Sequence, residues 1–462
     1  MGNHQSIWIR LFSWNGKVDR GFYAIAGLVF FIVKWNIDRL LGGHFFSVSW
    51  MPYQYLLPGI ELPEAAHDQR DLFLVLAVTA LPFIYVGVIL TVKRLRSIGV
   101  PSLLAGMFFM PFINLLFFTV LSFLPAKGGE ERHTSEIPPP PFLTRFVPRT
   151  RTANFFFAIW AAVLPCLLLL LVSVQVMSSY GWGVFVGIPF VLGMVSVLIL
   201  CLYSRRTFLE CMAVALSACA LCGVCVFLFA IEAIICLVMA MFLAVPLAML
   251  GGVVAYFIQS SYHASRVPPI LLLAILPLMG FEKMESPKPV QFAVTSTVEI
   301  DAPVETVWQN VVSFSELPPV EDWIFKTGLA YPLRAEISGT GVGAVRHCVF
   351  STGPFVEPIT VWDAPHHLRF SVTQMPEPMQ EWTFYQHVHP PHLDGYFQTT
   401  QGEFRLERLP NGRTRLHGTT WYHNDLWPAH YWKWWSDHLI HRIHLRVLKH
   451  VKQLAENDSG NK

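Results

Sequence analysis

Residues 425–456 read DLWPAHYWKWWSDHLIHRIHLRVLKHVKQLAE. Pro428 suits the first turn of a helix, where its missing N–H costs nothing. No Gly or Pro follows it in the stretch, so one long helix is predicted. At about 100° per residue, Ile440, Ile443, Val447, Val451 and Leu454 fall on one apolar stripe. Asp437, His441, His444 and Leu448 lie along its edge, and Arg442, Arg446, Lys449 and Gln453 fall on the side expected to face solvent. A helix this long must lay its stripe on something, and strand-like segments come just before it. A sealed core would not need polar groups along the edge. Asp437 and two His there, with Trp427, Trp432, Trp434 and Trp435 nearby, predict a partly polar cavity beneath the helix.

The segments upstream supply the other half of that cavity. VTSTVEI (294–300) reads as a strand, and a short helix follows through Val304, Val307, Trp308 and Val311, with Asp301 expected as its cap and Pro303 in its first turn. Further strands are expected at about 333–338, 343–350, 355–363, 367–374, 396–408 and 413–424. Pro410-Asn411-Gly412 marks a hairpin. One strand, a short helix, a run of antiparallel strands and a final long helix describe an α+β helix grip, a curved sheet wrapped on the C-terminal helix. That order, with Val298-Glu299-Ile300-Asp301-Ala302-Pro303 and Val307-Trp308 at its front, resembles the START/birch-allergen (SRPBCC) superfamily, nearest to its polyketide cyclase/dehydrase and lipid-transport group. The resemblance covers residues 290–456 and implies a hydrophobic cavity between sheet and helix, with no particular ligand.

The rest of the chain has a different chemistry. Only 14% of the 462 residues are charged and 53% are hydrophobic, against about 25% charged in soluble proteins. Between Ala153 and Phe281 the formal charges are Arg205, Arg206, Glu210, Glu232 and Arg266 alone. Apolar runs at 22–41, 72–92, 100–124, 153–178, 181–203, 208–229 and 233–257 approach or exceed the ~20 residues needed to span a bilayer. A run at 268–281 is short and broken by prolines. The chain is therefore expected to be a multi-pass α-helical membrane protein divided into a membrane module (1–124), a Pro/Gly-rich linker (125–152), a second helix bundle (153–285) and a soluble domain (286–462). The net charge of +2 excludes nothing but gives no support to a nucleic-acid partner.

By the distribution of Lys and Arg, the N-terminus, a loop at 93–96, the linker and the C-terminal domain face the cytoplasm, and Lys34, Asp38 and Arg39 snorkel to an interface. Pro111 is expected to bend the 100–124 run or make it re-entrant. Phe12-Ser13-Trp14-Asn15-Gly16-Lys17 with Arg20 and Phe22-Tyr23, followed by Arg94-Leu95-Arg96-Ser97-Ile98-Gly99, resembles a bacterial inner-membrane domain-of-unknown-function family, number 805. Arg96 and Ser97 stand where that family has His and Asp. This resemblance implies a membrane module in the cell inner membrane and no known activity.

Several residues invite chemistry. Cys219, Cys222 and Cys225 step around a helix and read as packing rather than metal ligands, and Ala240, Ala244, Ala248 and Gly252 read as a close-packing stripe. The eight Cys offer no disulfide framework. His387, His389 and His392 fall in a Pro- and aromatic-rich mouth loop, 375–395. Trp434, Asp437, His441 and His444 are the expected ligand-binding residues, with no metal and no cofactor. The expected function is a membrane-tethered module that holds a hydrophobic or amphipathic small molecule, a lipid among the candidates, beside the bilayer. The alternative is a cyclase/dehydrase-like enzyme using Asp437 with His441 or His444 as acid and base.

Overall fold

Seven antiparallel strands follow the alternating pattern of the C-terminal sequence almost residue for residue. The computed structural model describes residues 7–46, 50, 55, 67–110, 113–124, 126, 146–177, 179–232, 234–258, 267–284, 291–380, 393 and 395–460. The chain divides into two compact units, residues 1–229 with 240–287, and residues 230–239 with 288–462.

In the second unit the strands are β1 (Gln291–Ile300), β2 (Pro332–Ser338), β3 (Val345–Phe350), β4 (Gly353–Asp363), β5 (His367–Ser371), β6 (Phe397–Arg408) and β7 (Thr414–Asn424), in the spatial order β1-β7-β6-β5-β4-β3-β2. Every neighbouring pair is antiparallel. Because strand side chains alternate between faces, one row of β1 (Phe292, Val294, Ser296, Val298, Ile300) and one of β7 (Leu416, Gly418, Thr420, Tyr422) face inward together. The outer row carries Glu299 and Arg415, paired at 2.9 Å.

The long helix, Ala429–Gly460, runs against this inner face. Pro428 precedes it rather than opening it, and its carbonyl accepts the N–H groups of Tyr431 (3.1 Å) and Trp432 (3.2 Å). Val447, Leu448, Val451 and Ala455 join Ile300, Val307, Leu368, Phe370 and Leu416 in the main core, while Ile440 packs with Val294 and Tyr422 in a smaller cluster. Each such aliphatic side chain withdrawn from water is worth about 1.5–3 kcal/mol. The short helix Val304–Val312 is capped by Pro303 without a side-chain bond, not by Asp301. Asp301 instead offers its N–H to Glu456 Oε1 at 2.9 Å, tying the β1 end to the last helix. Arg442 and Arg446 are not simply solvated either. Arg442 pairs with Asp322, and Arg446 donates to the carbonyls of Pro332 (3.2 Å) and Pro318 (2.7 Å).

The first unit is helical: α1 (Ile7–Phe12), α2 (Arg20–Phe45), α3 (His67–Ile98), α4 (Ile113–Phe123), α5 (Arg151–Leu171), α6 (Ile188–Leu200), α7 (Phe208–Leu228), α8 (Ile234–Ile258) and α9 (Val267–Met284). With α10 (Val304–Val312) and α11 (Ala429–Gly460) these complete the helices named below. Among the described residues five segments are long and apolar enough to cross a membrane: Asp71–Ile98, Arg151–Val176, Gly183–Leu200, Phe208–Leu228 and Ile234–Ile258. Residues 100–124 form two short pieces, Ser102–Phe109 and Ile113–Phe123, on either side of 111–112. Gly193, Gly251 and Gly252 sit where α6, α7 and α8 approach one another, and Cys219, Cys222 and Cys225 are buried in α7.

Two charge expectations are corrected here. Residues 93–96 are the last turns of α3, not a loop, and Lys93 and Arg94 are buried. Lys93 Nζ donates to the carbonyls of Ile9 (3.0 Å) and Arg10 (2.8 Å), and Arg94 Nε to that of Leu121 (2.9 Å). These cations staple unpaired helix-end carbonyls, which a bulky basic side chain does as well as water. Lys34 and Asp38 do not snorkel. They pair with each other inside the unit, with Thr79 and Tyr55 completing the set, which avoids the cost of an unpaired buried charge.

Candidate functional site

Helix α11 does not seal against the sheet along its whole length. A cavity of about 140 Å³ remains, walled chiefly by Phe350, Phe355, Phe370, Phe404, Ile443 and Val447. Gly418 keeps part of it open. A Cβ built there would meet its nearest atoms, Leu448 Cδ2 and Phe404 Cε1, at 3.5 Å, so a methyl group would fit in ordinary contact and the sequence withholds it. Gly402 has the opposite role, since Phe370 lies across it within 2.5 Å of where a Cβ would stand.

Polar groups enter this wall at two places. On β3 and β4, Arg346 and Glu357 form a buried ion pair, with Arg346 Nε also donating to Val312 O at 3.2 Å. The guanidinium lies 5.4–5.7 Å from the ring centroids of Phe314, Phe370 and Phe404. Burial raises the Glu357 carboxyl above its ordinary range, against the pull of Arg346. Burial, with the Glu357 charge beside it, pushes the Cys348 thiol up to about 12, so Cys348 is a protonated wall group. A charge pair withdrawn this far holds because each member neutralises the other.

The second polar place lies under α11. Ser296 Oγ sits between two imidazoles, 2.7 Å from His441 Nδ1 and 3.0 Å from His444 Nδ1, and His444 Nε2 is 2.7 Å from Thr420 Oγ1. Both nitrogens of His444 are thus taken by hydroxyls. Burial, reinforced by His441, lowers the His444 pKa to about 4, so the ring is neutral at pH 7. His444 and Thr420 line the cavity; His441 is on the exposed side of the chain of bonds.

The four residues singled out in the sequence therefore separate. His441 and His444 meet through Ser296, and His444 alone of the four reaches the cavity wall. Asp437 accepts the Tyr422 hydroxyl at 2.6 Å and pairs with Lys433, so it is engaged away from both His. That bond and burial hold the Tyr422 hydroxyl well above its usual range. The expected wall position of Trp434 is corrected: it is 60% exposed and stacks on His438. It falls one turn before His438 on the outer side of the helix, while the inward azimuth passes through Ile440 and His444. Among the described residues no group of three or more His, Cys, Asp or Glu could hold a metal ion. His387, His389 and His392 lie outside the described residues.

Sequence reasoning missed Ser296, Thr420, Arg346, Glu357 and Gly418. A signal existed: each interrupts an inward row of apolar residues, as Ser296 does between Val294 and Val298, and Glu357 between Phe355 and Ile359.

No family model matches the chain, and no curated protein matches it. The N-terminal likeness to family 805 thus stays with the motif residues quoted above. Solved structures of the birch-allergen kind resemble the C-terminal part. A truncated norcoclaurine synthase from Thalictrum flavum is 12% identical, covering 37% of this chain and 96% of that one, with a TM-score of 0.25. A protein from Nitrosospira multiformis is 16% identical over 37% and 99%, TM-score 0.25. The Aha1 dimer from Colwellia psychrerythraea is 17% identical over 36% and 96%, TM-score 0.21. Identities this low carry no activity or ligand across.

Proposed function

We propose that this protein is a membrane-tethered binding module whose helix-grip unit holds a small hydrophobic or amphipathic molecule between α11 and the sheet. One observation carries the reading: an apolar cavity remains between α11 and the sheet, and Gly418 on its wall carries no methyl group although one would fit in ordinary contact. Protein interiors are ordinarily packed to crystal density, so a gap that a methyl group could fill without strain is a feature to be explained. An apolar cavity of roughly 150 Å³ takes a benzene ring. The cavity here, about 140 Å³, suits a ligand of that scale or the apolar end of a longer one, a lipid chain included. The five apolar helices, long enough to span, support the tether and the bilayer as a partner. Asp437, bonded to Tyr422 and Lys433, gives no support to a cyclase or dehydrase working through it.

The test uses the full chain in lipid nanodiscs and the neutral fluorophore 1-aminoanthracene, titrated against empty nanodiscs. Wild type should bind it saturably. Gly418→Val should weaken binding at least about tenfold, because a filled cavity leaves the probe no buried apolar surface. Its stability to thermal unfolding should fall by no more than about 1–3 kcal/mol, the cost of overpacking, since Leu448 and Phe404 stand at contact distance from the new Cβ. Equal binding by the two proteins would sink the proposal.

A further inference from the structure

The chain of bonds under α11 ends on a group with capacity to spare. His444 has none, because Ser296 and Thr420 occupy both of its nitrogens. Thr420 does. A hydroxyl donates one hydrogen bond and accepts up to two; Thr420 makes one, to His444, and stands on the cavity wall. A neutral imidazole has one N–H and one acceptor nitrogen, so the whole chain must point one way or the other. In the inward direction His441 Nδ1–H donates to Ser296, Ser296 donates to His444 Nδ1, and His444 Nε2–H donates to Thr420. The Thr420 proton is then offered to the cavity. In the outward direction each donor is reversed and Thr420 spends its proton on His444. Protonated His441 carries a hydrogen on both nitrogens and permits only the inward direction.

Resting on the binding reading above, we infer that the occupant is an apolar molecule with an oxygen acceptor, such as a carbonyl or ether oxygen. Thr420 is the residue that selects it. Ser296 and His444 are positioning residues that orient the Thr420 hydroxyl, with exposed His441 at the solvent end of the chain of bonds. The charged and titratable groups around the chain are few. Beta strand β1 presents none on its inner row, β7 presents Tyr422, and α11 presents Lys433, Asp437, His438 and Arg442. Across the cavity stand Arg346, Glu357 and Cys348. Asp437, Lys433 and Tyr422 are already bonded to one another, as are Arg346 and Glu357.

Two probes of like shape, acetophenone and cumene, separate the oxygen from the apolar body. Each is titrated as a competitor of 1-aminoanthracene on the full chain in nanodiscs. Wild type should prefer acetophenone by about three- to tenfold, the range of one hydrogen bond. Thr420→Val should bring that ratio near one, and Thr399→Val, on the same wall, should leave the ratio as it was. Ser296→Ala, which breaks the chain of bonds behind His444, should lower the wild-type ratio, because the Thr420 hydroxyl loses its orientation. Persistence of the preference in Thr420→Val, or its loss in Thr399→Val, overturns the assignment of Thr420. An unchanged ratio in Ser296→Ala overturns the positioning role of Ser296 and His444. If cumene and acetophenone both displace the fluorophore equally well, the cavity stands and this inference falls; if neither the fluorophore nor the competitors bind wild type, the binding reading falls and takes the inference with it.

Discussion

The two units use glycine for opposite ends. In the helical unit a Cβ at Gly193 would stand 1.8 Å from the Ala248 carbonyl oxygen, and one at Gly251 would stand 2.0 Å from that of Phe190. Those glycines let α6 and α8 touch backbone to backbone, and the space between them is used up. In the helix-grip unit a Cβ at Gly418 would meet Leu448 and Phe404 at 3.5 Å, ordinary contact, and this glycine lines a cavity instead of drawing two backbones together. Close approach is what a bundle needs when lipid gives its helices no hydrophobic drive to associate. A sheet gets its cohesion from strand hydrogen bonds, so it can leave a gap under one helix without coming apart. Buried charge differs in the same way. Lys93 and Arg94 are absorbed by backbone carbonyls at helix ends, whereas Arg346 is held by a carboxylate beside the cavity.

The largest effect that can break this contrast comes from the buried pair. Arg346→Met leaves Glu357 uncompensated and should cost about 3–5 kcal/mol, whereas Arg346→Met with Glu357→Leu should cost markedly less. Chemical denaturation followed by tryptophan fluorescence measures both, and a single mutant no worse than the double would show that the pair is not desolvated as described. Next comes Gly193→Ala, which should cost near the ~3 kcal/mol upper end for overpacking because the obstacle is backbone and cannot rotate away. Thermal unfolding in nanodiscs checks it; a change below about 0.5 kcal/mol would mean that α6 and α8 do not touch there.

The smallest of the three effects is set by pH. The folded state holds His444 near 4 against an ordinary 6.5, so the unfolded chain takes up the proton first. Stability is therefore full above about pH 6.5 and is lost as pH falls toward 4, by about 2 kcal/mol at pH 5. His444→Gln should be less stable at pH 7 and flatter across that window. A wild-type protein equally stable at pH 7 and pH 5, after allowance for other groups, would place His444 in water instead of beside the cavity.

Much of this architecture is legible before any coordinates. Strand alternation, the Asn411-Gly412 turn and the 3.6-residue stripe of 429–460 are set by backbone geometry within a few residues, and local geometry repeats wherever the pattern occurs. For the same reason the apolar segments that became α3 and α5–α8 could be read from composition and length. What the sequence could not decide is which polar groups meet. His441 and Asp437 stand one turn apart on the same edge, yet one bonds to Ser296, 145 residues away, and the other to Tyr422. That choice depends on the rotation of α11 about its axis and on the register of β1 against β7, which aligns Ser296 with Gly418 and Val294 with Thr420. A rotation of the helix by about a third of a revolution would have sent Trp434 inward and His444 out. The sequence by itself determined the elements, their order and the side of each that is apolar, because those follow from local periodicity. Only the tertiary structure decided that Gly418 leaves a hole and that Ser296, His444 and Thr420 surround it, because azimuth and register are fixed by packing over the whole sheet.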